Sequence, residues 1–214
     1  MPILFFLFLS GCSRALKKTG NETASLFLGR LEGLHSLTTA VIYDGEITCR
    51  GDSYPFLLAA RVSPNEGIYN FYTPTGEYLS RLIQIRKGEE YTLKRGKETF
   101  SGEGISKSIY RFAEKVGDDL SLKAILLGDI AYPKREGDLF SHKEGFIFKG
   151  LGFTIKSDGK MRFVSGSYEI EDGTLKVGYS YSGELGSIPS ILKIQYYPCR
   201  VTLRGEKREG GKSR

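Results

Sequence analysis

The chain has 214 residues, 12% of them aromatic, with 27 glycines and no tryptophan, a composition that suits one sheet-rich domain with many turns rather than a helical bundle. Its net charge of +6 invites a nucleic-acid reading. However, Arg14, Lys17 and Lys18 at one end and the tail 204–214 at the other account for the whole excess, so the body is neutral, and no strand interleaves cations with aromatics at a recognised spacing. Nucleic acid is therefore not an expected partner; the basic ends read as solvated tails or as help in holding the chain against anionic headgroups, worth ~1 kcal/mol per basic residue.

Residues 3–12, I-L-F-F-L-F-L-S-G-C, form an uncharged apolar run ending in small residues and a cysteine. Residues 3–11 are too few to span a bilayer as a helix, which needs roughly 20. The run resembles a bacterial lipoprotein signal with its lipobox. Ser10 and Gly11 let a peptidase grip an extended backbone, and the Cys12 thiol is the nucleophile that takes a diacylglyceryl group before cleavage. Cys12 is thus the expected lipid anchor, and Ser13 after it, by analogy with known sorting rules, fits delivery to the outer membrane, facing the periplasm. The run begins directly after Met1-Pro2, without the usual positive segment, so the true start is expected upstream.

Residues 13–23 read as a polar, basic tether. From Ala24 the apolar positions Leu26, Phe27, Leu31, Leu34 and Leu37 recur at mostly helical spacing. The period then changes to two. Strands are expected at 39–50, 55–63, 67–73, 78–86 and 90–94, separated by turn signals such as Gly51-Asp52, Pro64-Asn65-Glu66-Gly67 and Pro74-Thr75-Gly76. Phe56, Leu58, Ala60 and Val62 fall on one face of the second. The short connections favour antiparallel neighbours.

A helical insert follows. Ile105, Ile109, Phe112 and Val116 make one stripe of a helix ending near Gly117, and a second short helix is expected from 119 or 120 to Leu127, stopping at Gly128. Both need a surface to cover, and the apolar face of the sheet supplies one. After a loop at 131–142, strands are expected at 145–156, 160–170, 174–182, 190–197 and 199–204, with Asp-Gly turns at 158–159 and 172–173. Leu175, Val177, Tyr179 and Tyr181 alternate with polar or small residues, demanding one buried and one wet face. The fold expected from these patterns is α+β: about ten strands in one large curved antiparallel sheet, with two inserted helices.

Once Cys12 is lipidated, Cys49 and Cys199 remain, near the two ends of the expected sheet. They meet only if the first and last strands approach each other; the sequence leaves open a bridge or a pair of buried thiols. Enzyme chemistry has little to build on. His35 and His142 lack a third partner for a metal or a Ser-His-Asp constellation. The G-E-G at 102–104 lacks the Lys-Ser/Thr of a P-loop, and Asp118-Asp119 fits a helix start. No catalytic residue, metal or cofactor is expected.

The lipobox, the long meander, the helical insert and the second set of hairpins together resemble the LolA/LolB-like family, and LolB within it, which implies that the curved antiparallel sheet is an unclosed β-barrel covered by a short helical lid. The family's strand–P-L-G–strand pattern corresponds to Phe71-Tyr72-Thr73-Pro74-Thr75-Gly76, then Leu79, Leu82 and Glu90-Tyr91. Its helical pattern corresponds to Ile109, Phe112, Val116-Gly117, Leu122 and Leu126-Leu127-Gly128. A late Pro before an apolar strand matches Pro189, Ile191, Leu192 and Ile194. The family's loop leucine aligns with Thr75, and its tryptophan has no counterpart.

The resemblance implies a signal peptide at 1–11, a lipidated tether at 12–23, a half-barrel domain at 24–205 and a basic flexible tail at 206–214. It implies an outer-membrane lipoprotein, a monomer, that takes acyl chains or lipoproteins from a periplasmic carrier. The cleft residues would be Phe56, Leu58, Ile109, Phe112, Val116, Leu126, Val177 and Tyr179, with Pro74, Thr75 and Gly76 as the membrane-facing loop. The alternative is an envelope scaffold of the same fold with a filled core and a protein partner.

Overall fold

The structure is a computed structural model that describes residues 16–35, 38–87, 90–95, 122–127, 137–170, 173–182 and 188–206. In chain order its elements are β1 (Lys17–Lys18), α1 (Asn21–His35), β2 (Thr39–Cys49), β3 (Asp52–Val62), β4 (Glu66–Tyr72), β5 (Tyr78–Lys87) and β6 (Glu90–Arg95). Then come α2 (Leu122–Leu127), β7 (Gly137–His142), β8 (Gly145–Gly150), β9 (Phe153–Asp158), β10 (Phe163–Ile170), β11 (Gly173–Ser180), β12 (Ile191–Tyr196) and β13 (Cys199–Glu206).

The strands form one sheet of thirteen in the order β1-β7-β8-β9-β10-β11-β12-β13-β2-β3-β4-β5-β6. Neighbours are antiparallel throughout. Among the described residues β6 and β1 do not pair, so the sheet is open. The first long strand, β2, lies beside the last, β13, and the two strand series spread to either side of that seam.

The alternation explains the curvature. Tyr43 and Ile47 on β2, Phe56, Leu58, Ala60 and Val62 on β3, and Leu175, Val177 and Tyr179 on β11 are all buried, and they belong to a single core cluster. One apolar face shared by so many strands must wrap around its contents. Helices α1 and α2 pack into that concave side. Phe27 of α1 is 1% exposed, and its ring sits 5.6 Å from Phe148 and 5.7 Å from Phe163. Phe153 continues the cluster, 5.2 Å from Phe148 and stacked on Tyr168.

Several expectations change. The single strand at 145–156 is two, β8 and β9, because Gly150-Leu151-Gly152 makes a hairpin turn in which Gly152 adopts φ 70°, a conformation glycine takes without strain. The loop at 131–142 contains β7, whose inward residue is Leu139. Ahead of α1, β1 covers the edge of β7: Lys17 pairs with Ser141 and Lys18 with Phe140, Thr19 N–H donates to the Leu139 carbonyl at 2.9 Å, and Lys18 meets Asp138 at 2.5 Å. Residues read as tether thus take part in the fold. Within α1 only Phe27 of the adjacent pair faces the core; Leu26 is 62% exposed. The expected stripe Ile105, Ile109, Phe112 and Val116, the anchor Cys12 and the tail beyond 206 lie outside the described residues.

At the seam the two cysteines meet. Cys199 is the register partner of Cys49, their Cα atoms are 4.2 Å apart, and they are joined by a disulfide across 150 residues of sequence.

Candidate functional site

The inner face is not filled everywhere. Between α2 and the wall made by β2, β3, β4, β5, β12 and β13 lies a cavity of about 60 Å³. Ile47, Phe56 and Leu58 line it from the first strands and Val201 and Leu203 from the last, with Leu126 from the helix. Every lining residue is apolar apart from the Tyr69 hydroxyl.

Local sequence explains how the wall is shaped. Gly45 stands opposite Phe56 in the β2–β3 ladder, and a Cβ there would overlap the Phe56 ring. The missing side chain lets that ring lie flat against the strand, 5.7 Å from Phe71. Gly67 plays the same part for Tyr69, whose ring a Cβ at position 67 would strike.

Helix α2 is six residues long, too short to hold itself together in water. Its apolar residues Leu122, Ile125 and Leu126 project into the cavity, while three polar bonds tie its backbone and its lysine to the sheet. Gln84 Oε1 accepts the Leu122 N–H at 2.9 Å. The Tyr43 hydroxyl donates to the Leu126 carbonyl at 3.4 Å. Lys123, 5% exposed, sends its ammonium to the Ser63 carbonyl at 2.8 Å. Burial, and then the proximity of Tyr181, pushes the Tyr43 phenol well above its ordinary pKa, so it stays a neutral donor.

Of the cleft residues expected from the sequence, Phe56, Leu58 and Leu126 come together at this cavity. Val177 and Tyr179 are buried on the same inner face but do not line it; Ile109, Phe112 and Val116 lie outside the described residues. Pro74, Thr75 and Gly76 form an exposed β4–β5 turn, closed by a 2.9 Å bond from the Gly76 N–H to the Thr73 carbonyl and a 2.8 Å contact between the Thr73 and Thr75 hydroxyls. The sequence reading missed Ile47, Tyr69, Val201 and Leu203 as cavity residues, although each occupies an inward position of an alternating strand. It also missed the latch formed by Gln84 and Lys123, for which a polar residue in an apolar register is the only signal.

No family model and no curated protein matches this sequence. Among solved structures, the fold is similar to that of a DUF1329 family protein from Desulfovibrio piger, with a TM-score of 0.51 at 7% identity, over 90% of this chain and 94% of that one. At that identity the likeness speaks for the open sheet and not for a shared activity.

Proposed function

We propose that this chain is a lipid-anchored envelope protein that holds acyl chains against the concave face of its sheet, receiving them or whole lipoproteins for insertion into the outer membrane. The observation that carries the reading is the apolar cavity under α2, walled by both strand series. Cys12 would be the anchor.

The cavity's size sets the mechanism. About 60 Å³ is well under the ~150 Å³ apolar cavity that admits benzene. An acyl chain therefore enters only if α2 gives way. Leu122, Ile125 and Leu126 then act as the occupant of the empty state. A ligand would replace their contacts at ~0.8 kcal/mol per buried methylene, against three hydrogen bonds each contributing about 1 kcal/mol net. Because displaced Leu122, Ile125 and Leu126 also give up about 1.5–3 kcal/mol each, on the order of ten or more methylenes are needed to offset latch and contacts together, the length of a long acyl chain.

The same small volume favours a second reading, a scaffold lipoprotein whose core is simply filled by α2. Native mass spectrometry of the full-length protein extracted from an envelope, with a fluorescent fatty-acid titration of the wild type and Leu126→Ala, separates the two. Co-purifying lipid, and tighter fatty-acid binding by Leu126→Ala, are expected for the carrier. Lipid-free protein that binds no fatty acid in either form would leave the scaffold.

A further inference from the structure

The outer face of the sheet carries charge that neither the core nor the cavity uses. Strands β11, β12 and β13 occupy the middle of the thirteen-strand order, the part of a curved sheet that stands furthest out on its convex side. There Lys176, Lys193, Arg200 and Arg204 point away from the core, all exposed, and line an open groove of about 480 Å³. A second open groove of about 800 Å³ shares Gln195 and Arg200 with the first and continues it to Arg50 and Tyr197 at the sheet's rim. Among the described residues, neither groove is lined by a carboxylate.

The register shows how so many cations stand together. Lys176 and Arg200 both face Gln195, and Lys193 faces Gly178 on one side and Thr202 on the other. Like charges placed directly opposite would repel; neutral partners in those positions leave the cations diagonal to one another. The carboxylates nearest in register are on the two flanking strands: on β10, Glu169 stands opposite Thr174, diagonal to Lys176, and two more lie on β2. Asp44 stands opposite Arg204 and Glu46 opposite Thr202, and Glu46 accepts a bond from the Ser53 hydroxyl at 2.5 Å. Apart from the Arg204–Asp44 cross-strand pair, gathering these cations on the apex brings no evident gain in stability.

We infer that this convex apex is a docking surface for a membrane carrying anionic phospholipid headgroups. A planar partner meets a convex sheet at its central strands first, where the cations are. Lys and Arg diagonal to one another on adjacent strands stand ~7 to 8 Å apart, a spacing suited to headgroup phosphates. Tyr197, 89% exposed on the β12–β13 turn, supplies the amphipathic ring that favours the interfacial level. Docked this way, the concave side faces away from the bilayer. The inference does not depend on whether the inner cavity takes an acyl chain.

The test uses the full chain with Cys12→Ser, so that no acyl anchor contributes, sedimented with vesicles of phosphatidylcholine alone or with phosphatidylglycerol added. The patch variant is Lys176→Gln, Lys193→Gln, Arg200→Gln and Arg204→Gln together. The control of equal charge is Lys143→Gln, Lys149→Gln, Lys156→Gln and Lys160→Gln. Each cation near the surface contributes roughly fivefold to partitioning. Phosphatidylglycerol should therefore raise wild-type binding by about 100-fold or more at low salt, an increase that the patch variant loses, the control largely keeps, and salt erodes as the Debye length shrinks. Binding to phosphatidylcholine alone should be equal in all three. Equal losses in patch variant and control, an undiminished response of the patch variant, or binding to heparin or polyphosphate with none to anionic vesicles would each overturn the inference.

Discussion

Strands β8 to β10 and strands β2 to β5 close their inner faces in different ways. The first group presents rings, with Phe148, Phe153, Phe163 and Tyr168 all at or below 5% exposure, and α1 adds Phe27 to the same cluster. The second group is met by the aliphatic side chains of a six-residue helix tied down by three polar bonds, and a cavity remains. Interlocked rings of fixed shape leave no freedom to rearrange. Leucine and isoleucine on a short, latched helix can leave together, because the bonds that hold them have alternatives in water. On the proposed carrier function, the half closed by α1 is permanent core and the half closed by α2 is an exchangeable cover.

That contrast can be broken most severely at Phe27. Phe27→Ala removes the ring that α1 contributes and should cost about 3–5 kcal/mol, read as a lower denaturation midpoint in urea. A loss under ~1 kcal/mol would mean that α1 is not needed to close that half. Next is the covalent link between the two strand series. Replacing Cys49 and Cys199 by serine together should cost about 2–4 kcal/mol, since the bridge restrains a loop of 150 residues. An unchanged thermal midpoint under reducing conditions would show that the β2–β13 ladder suffices alone.

A paired substitution compares packing directly. Val201→Ile adds a methylene beside the cavity and should stabilise by up to ~0.8 kcal/mol. Val177→Ile adds the same group on the inner face away from it and should destabilise by about 1–3 kcal/mol. Equal effects from the two, measured by chemical denaturation, would abolish the distinction between a filled and an unfilled region.

The smallest effect concerns the β9–β10 turn. Burial works to raise the Asp158 pKa, but hydrogen bonds from the Arg162 backbone and guanidinium, the guanidinium's charge and the Lys160 N–H outweigh it and hold the carboxyl below its ordinary value. The guanidinium also lies 4.8 Å from the centre of the Tyr181 ring. A depressed carboxylate contributes stability that is complete above the unfolded-state pKa, about 4, and is lost as pH falls through the lower folded-state value. Asp158→Asn should therefore be less stable at neutral pH and show a shallower decline in acid. Parallel acid profiles for the two proteins would remove Asp158 as a contributor.

Much of this was legible along the chain. Inward positions on β2, β3 and β11 follow a period of two, and Pro74-Thr75-Gly76 and Asp158-Gly159 mark turns, because both signals are local steric and solvation effects of neighbouring residues. The expected break at residue 157 left Gly150-Leu151-Gly152 unread, since an apolar residue between two glycines looks like strand until the backbone is seen to reverse. Strand β7 was equally quiet, with one buried leucine in six residues. The cavity was only half visible: Phe56, Leu58 and Leu126 stood out by hydrophobicity, but nothing near them in sequence indicated Val201 or Leu203.

By itself, the sequence determined the class of the protein, a large antiparallel sheet with little helix, because alternation, turn chemistry and composition act over a few residues. Only the tertiary structure decided that the last strand returns beside the first, which brings Cys49 to Cys199, joins Ile47 to Val201 across one wall, and gathers Lys176, Lys193, Arg200 and Arg204 on one convex face. Those neighbours are set by which strand edges pair after long loops close. The free energy of that choice comes from burying a common face, a property of the whole sheet that no short stretch of chain contains.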